Sequence, residues 1–519
     1  MVRELGHSVA WRLAGKCWNS RYFWSRFILA RCGLHPALLI LNPSTMPPLP
    51  PPKVFCRSST ALETIHQRLE ALDAGLSTFY VRLLLLTGFS WVVRTAELVL
   101  FTFTRDLIDN DVGMGTTALQ TLGTGEFIGA AIGGPLFGCL ADTRGRRLAL
   151  LLAMAFSLAG LALSALATSD YVLIIARIVA GAGLGGELPA AIVLVQELSP
   201  KSLRGPMVAW LEAFGGVGGI VGAALAFGLA PHFGWRNTYW VICVCVLYTG
   251  VLRCGIPESP RWLASVGRED EALLVVEKLE REHRARLNYE NVKMQETSTL
   301  VVVDSVPSVA KTSSTFDKPV HTLVLWTLWA VMTLSSYVLG VYVPTLISLS
   351  GFNMYESWVG IVLLHGAQVV GCILASWVLK TRGHKQSLAC FATLVSVAAI
   401  LLSYAPWNRF VVVVGTCSVS LLLAGAWSCV LVYTPENYLT VVRARGVSYA
   451  FGFSRLAAAG GLLLYPHMFN VWLMTVSSIT WVFTGLLAVT VIGFVVPWGF
   501  NAQHHGYCSV HDTQLEIDP

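Results

Sequence analysis

The sequence predicts an all-α membrane protein with twelve transmembrane helices in two six-helix bundles, and three observations carry that prediction. First, the 519 residues are 55% hydrophobic and 13% charged, with a mean hydropathy of +0.62, whereas soluble domains carry about a quarter charged residues. Second, apolar runs of about 20 residues, the length of a bilayer crossing, recur along most of the chain. Third, the basic residues sit in short loops between those runs rather than on one patch. The formal charge of +6 is therefore no nucleic-acid footprint. The 17 Trp and 23 Phe suit aromatic belts at two interfaces, and the 46 Gly suit helices that pack closely in lipid.

Six spans fall near residues 82–104, 117–141, 148–168, 171–196, 205–230 and 235–256, and six more near 321–349, 356–379, 386–405, 409–433, 446–469 and 471–498. Residues 257–320 between the groups crowd charges of both signs. There "REDEALLVVEKLEREHRAR" reads as an amphipathic surface helix with Leu273, Val276 and Leu279 on one side, and "STLVVVDSVPSVAKTSSTF" reads as a flexible tether. The expected organisation is an N-terminal segment (1–80), a first bundle (81–256), a linker (257–320), a second bundle (321–498) and a tail (499–519).

Lys and Arg in the short loops set the orientation. Loops after spans 2, 4, 8 and 10 hold Arg144, Arg146, Arg147, Lys201, Arg204, Lys380, Arg382, Lys385, Arg443 and Arg445, while the alternate loops hold little beyond Arg105, Arg236 and Arg409. Both termini and the linker are expected in the cytoplasm, with the plasma membrane as the expected location and an organelle membrane as the alternative. In the loop after span 2, Gly145 permits a tight turn, and its Arg cluster is too costly to drag across lipid. Residues 1–45 allow two readings. Six basic residues against the single acid Glu4 resemble a targeting presequence in composition; alternatively, Met46, just before "PPLPPPKVF", is the true start.

The 12 Cys are scattered, mostly within apolar runs, and read as small core hydrophobes. The tail string "HHGYCSVHD" reads as solvated chain rather than a metal site. No nucleotide-binding or nucleophile motif occurs, so neither an enzyme, a metal nor a cofactor is expected.

Four strings then carry a resemblance: "GCLADTRGRR" after span 2, "RIVAGAGLGGELPAA" in span 4, "QELSPKSLRG" after it and "PESPRWL" after span 6. At this order and spacing the chain resembles the major facilitator superfamily over roughly residues 61 to 500. The resemblance implies two six-helix halves rocking about a central site, with no catalysis. It also implies that Asp142, Arg146, Arg147, Glu197, Arg204, Glu258 and Arg261 form a cytoplasmic network when the carrier faces outward. The loop after span 10 repeats part of this pattern with Glu436 and Arg445. Exposed ion pairs are worth about 0 to 1 kcal/mol each, so several together can hold one state and still release it; the alternative is that these charges are only topological anchors. The repeat departs at "SWVLKTRGHKQ", where Lys380 stands in the place of Asp142, which puts the second half's latch in doubt.

"PESPRWL" is shared by sugar porters and organic-ion porters. Span 7, "LSSYVLGVYVPTLI", lacks the Gln pair and Asn typical of the sugar branch. "ETIHQRLEALDAGL", "TAELVL", "GGELP", "WLEAFGG" and "YTPENY" instead resemble the metabolite:proton symporters, nicotinate-type carriers and synaptic-vesicle-glycoprotein-like proteins. The implied partner is a small organic ion, with protons as the coupling ion, in a monomeric carrier within the bilayer. Facilitated or proton-coupled sugar movement is the alternative, and a non-transporting receptor or scaffold is a third.

An ionisable group at the bilayer centre costs at least about 2.5 kcal/mol and usually faces a cavity or a partner. The candidates are Arg94 and Glu97, Glu126, Glu187, Glu212 and Arg455, with Tyr337 and Gln368 as polar or aromatic companions; His365 and Trp427 stand near them. Arg94 and Glu97 are i, i+3 neighbours and could neutralise each other. Arg177, in span 4, reads as structural. Glu212 lies about 12 Å beyond Arg204 and Arg455 about 15 Å beyond Arg445, so opposite charges reach the midplane from equivalent helices. A carboxylic acid out of water holds a proton more readily, and an Arg suits a bidentate grip on a carboxylate. Equally, Arg455 could be fixed in an ion pair with Glu212 or Glu187.

Overall fold

The computed structural model describes residues 58–72, 78–114, 116–253, 255–283, 322–336, 354–404 and 409–470. Residues 1–45, Tyr337, the tether, the twelfth span and the tail lie outside them.

Helix α1 (Ser58–Ala71) precedes the first bundle, which comprises α2 (Thr78–Val112), α3 (Thr116–Arg144), α4 (Arg146–Leu166), α5 (Asp170–Leu198), α6 (Lys201–Ala224) and α7 (Trp235–Arg253). The short α8 (Pro260–Ser265) and α9 (Glu269–His283) follow. The second half holds α10 (Thr322–Ser336), α11 (Met354–Arg382), α12 (His384–Tyr404), α13 (Arg409–Glu436) and α14 (Arg443–Asn470). Eight of these helices are long and apolar enough to cross a membrane. Each of these eight overlaps a predicted span, because runs of Leu, Val and Ala leave the backbone no alternative in lipid but to bond to itself.

Helix starts and breaks follow local chemistry. Gly145 separates α3 from α4 at φ +110°, a left-handed conformation that disfavours a side chain. In the first turn of α8 the Ser259 hydroxyl accepts from Trp262 N–H at 3.1 Å, with Pro260 at the position whose missing N–H costs nothing. Helix α6 runs on through a π-helical turn, Leu225–Leu229, into Ala230–Phe233. The amphipathic linker helix is α9, where Ala272, Val276 and Leu279 are buried and Leu273 packs partly against them.

The halves meet along α3 against α14 and α6 against α11. Small residues allow it: a Cβ on Gly134 would lie 2.9 Å from the Ser448 carbonyl oxygen, and one on Gly452 3.0 Å from that of Ala131. One feature was not anticipated from the sequence. Helix α1 docks on α8 and α9, with Ile65, Leu69 and Leu72 buried and Arg68 gripping Glu280 through two bonds of 2.8 and 2.6 Å.

Candidate functional site: a charged latch and a buried ionisable centre

At the loop end, Arg146 is fully buried and satisfied from several sides. Its guanidinium bonds the Glu197 carboxylate at 3.0 and 3.2 Å, lies 3.4 Å from Asp142, and donates to the carbonyls of Ala141 and Thr440 at 2.9 and 2.7 Å. Thr440 belongs to the second half, as does Arg443, which reaches Glu197 at 3.2 Å. Asp142 completes the clamp. Its carboxylate accepts from the backbone N–H of Ala444 and Arg445 at 3.2 and 3.0 Å and from Arg445 Nε at 3.1 Å, a negative charge seated on the first turn of α14. Gln196 adds a bond to the Val432 carbonyl at 3.2 Å.

The remaining members of the expected network divide differently. Glu258 accepts from the backbone N–H of Arg146 and Arg147 at 3.0 and 3.1 Å, so it caps α4 rather than pairing with a guanidinium. Burial nevertheless holds its carboxyl above the ordinary value, against the pull of those N–H groups. Arg204 and Arg261 meet at Glu70 of α1, at 2.7 and 2.9 Å, while Lys201 N–H donates to the other Glu70 oxygen at 2.5 Å. Glu70 was passed over in the sequence because it lies before the first span; its only signal was its place in an amphipathic stretch.

The equivalent corner of the second half carries a contact of a different kind. His384, four residues after Lys380, places Nδ1 2.6 Å from Glu436. It occupies the position after Gly383 that Arg146 occupies after Gly145.

Inside the membrane the pairing differs from the one spacing suggested. Glu97 bonds Arg177 of α5 rather than its neighbour Arg94, and Glu126 stands 3.6 Å from the same guanidinium. Arg177 also lies over the rings of Phe101 and Tyr239, at 4.3 and 4.8 Å. Burial explains the preference: Arg177 is fully buried, so two carboxylates and two aromatic faces replace its water. Glu187 pairs not with Arg455 but with Arg253 of α7, at 3.1 Å, and Arg253 also reaches Ser90 and the Met154 sulfur. Arg253 lies inside the predicted sixth span, but near its end, where a basic residue reads as a border anchor. Arg94, Glu97, Glu126 and Glu187 line one cavity in the first bundle, about 440 Å³ of empty space.

Glu212 and Arg455 are not part of that cavity. Glu212 accepts from the Trp91 indole N–H at 3.0 Å and forms no ion pair among the described residues, so the fixed pair entertained for it is not made. Arg455 lies over the Phe451 ring at 4.3 Å. Phe451 packs edge-on against Trp329, which packs edge-on against the half-buried Trp427, with centroids 6.0 and 5.2 Å apart. Gln368 Oε1 accepts from His365 Nδ1 at 2.9 Å on α11, facing α6, where a Cβ on Gly219 would strike the His365 ring.

Comparison with known proteins gives this arrangement a context. Residues 83–462 match the model of the Major Facilitator Superfamily. The chain is 28% identical over 404 residues to the niacin transporter NiaP of Acinetobacter baylyi, covering 77% of this chain and 89% of that protein. It is 23% identical over 444 residues to the synaptic vesicle 2-related protein of Xenopus laevis, covering 81% and 78% respectively. Among solved structures it resembles the proton:xylose symporter XylE, with a TM-score of 0.65 and 17% identity over 80% of this chain and 96% of that one. It also resembles the human organic anion transporter MFSD10, with a TM-score of 0.59 and 14% identity over 82% and 99%.

Proposed function

Since the chain belongs to the Major Facilitator Superfamily and is an integral, multi-pass membrane transporter, we propose that it moves a small aromatic or heteroaromatic monocarboxylate of the niacin kind, coupled to protons, by alternating access. The observation that carries this reading is the asymmetry of the two midplane charges. Glu212, half-buried, is held by one neutral indole donor, so it can gain or lose a proton without breaking an ion pair. Arg455 lies over Phe451, which packs on Trp329 and through it on Trp427. A guanidinium can take a carboxylate by its planar fork, and neighbouring rings can stack on a flat substrate. Similarity to a niacin transporter supports the substrate class. The latch end faces the cytoplasm in this reading, and the Asp142, Arg146, Glu197 and Arg443 contacts hold the outward-facing state.

Uptake of radiolabelled niacin into proteoliposomes tests it, with and without an inward proton gradient. Accumulation that follows the gradient supports coupling; gradient-independent equilibration removes the proton. Glu212→Gln should abolish accumulation yet leave exchange, because a permanently neutral side chain mimics the protonated acid. Arg455→Lys should raise the half-saturating concentration about ten-fold, since a point ammonium cannot reproduce the fork. Folding yield is measured alongside on both singles and on the double replacement by Gln and Met. Loss of folding in both singles with recovered transport in the double would sink the assignment, and competition by hexoses would favour the sugar reading.

A further inference from the structure

A second cavity, about 370 Å³ of empty space, lies where the first span begins, between the start of α2, the chain leaving α7, and α9. Its walls are of two kinds. Phe79 and Ile256 are among its apolar lining, while Arg82, Lys278 and Glu282 bring charge to it. None of those three charged side chains has an ion pair or hydrogen bond among the described residues, although Arg68 and Glu280 on the same two-helix platform are tightly paired. Two cations and an acid left unpaired around one cavity form a charge pattern without an internal answer. Beside Arg82, Val81 and Leu85 are 43% and 54% exposed on the outer flank of a membrane-spanning helix, a surface fit for acyl chains.

We propose that this cavity binds the headgroup of an aminophospholipid from the leaflet on the α9 side. The phosphate sits between Arg82 and Lys278, the primary ammonium faces Glu282, and the acyl chains run along Val81 and Leu85. The charge set selects this class: a phosphodiester alone would satisfy the two cations but bring no positive charge to the Glu282 carboxylate, which a primary ammonium supplies. The cavity also joins α9 to the start of α2, so an occupied site ties the linker to the first span.

The test uses the purified full chain in detergent micelles and reads both apparent melting temperature and lipid adducts by native mass spectrometry. The probes are short-chain phosphatidylethanolamine, short-chain phosphatidylglycerol, glycerophosphoethanolamine and inorganic phosphate. Phosphatidylethanolamine should raise the melting temperature by mass action, and the double variant Arg82→Ala with Lys278→Ala should weaken its binding at least ten-fold. Glu282→Gln should erase the preference for phosphatidylethanolamine over phosphatidylglycerol while leaving binding of both. All three side chains are exposed, so the variants should fold, and an unchanged melting temperature without lipid checks this. Undiminished binding by the double variant overturns the proposal, as does equal binding of phosphatidylglycerol by the unmodified chain. A full response to glycerophosphoethanolamine or phosphate overturns it too, in favour of a soluble phosphoester site.

Discussion

The latch corners of the two halves hold the same place in the repeat but are built from different chemistry. In the first half, Arg146 and Glu197 are both fully buried, and Arg146 draws on partners from both halves of the molecule. In the second, His384 and Glu436 meet at 2.6 Å with side chains 29% and 33% exposed. A guanidinium cannot lose its charge near neutrality, whereas an imidazole can. The same corner is therefore a permanent ion pair in one half and one that depends on a proton in the other.

The largest expected effect comes from breaking the buried corner. Arg146→Met leaves Glu197 buried with Arg443 as its remaining charged partner and should cost about 3–5 kcal/mol, read as a collapse of folded yield and melting temperature. His384→Ala should cost no more than about 1 kcal/mol, because that pair is partly solvated. Equal losses in the two variants would erase the distinction between the corners.

Acid should weaken the docking of α1. His66 of α1 lies 3.8 Å from Glu70, which receives Arg204 and Arg261. Burial first, and then the Arg261 charge, push its pKa from 6.5 down to about 4, although Glu70 pulls it the other way. The unfolded chain therefore binds a proton that the folded one refuses. Stability from this site is complete above about pH 6.5 and is lost as pH falls toward about 4, by up to roughly 3 kcal/mol. Protease cleavage between α1 and α2 should rise over that window, and His66→Gln should flatten the response. A cleavage rate independent of pH in the unmodified chain would remove His66 from the account.

The smallest effect distinguishes the second corner. An Arg at this position makes the corner a permanent ion pair like the first, so His384→Arg should slow transport up to about five-fold, the equivalent of ~1 kcal/mol, while His384→Gln leaves it fast. Initial rates in vesicles decide this; identical rates for the unmodified chain and both variants would show that the corner does not gate.

The placement of spans needed only the sequence, because hydropathy and helix length act locally and lipid leaves the backbone one solution. Even the linker helix α9 was legible from the spacing of Val276 and Leu279. Which charges belong together was not. Spacing on one helix offered Arg94 to Glu97, but the partner is Arg177 from a different helix; Glu187 drew Arg253, which was not among the candidates; and Trp91, not a cation, holds Glu212. Glu70, outside every span, joins Arg204 to Arg261. The sequence by itself determined which apolar runs carry charges, since that follows from position along the chain. Only the tertiary structure decided how they are neutralised: electrostatic energy depends on distances of a few ångströms between helices far apart in the chain, and packing sets those distances.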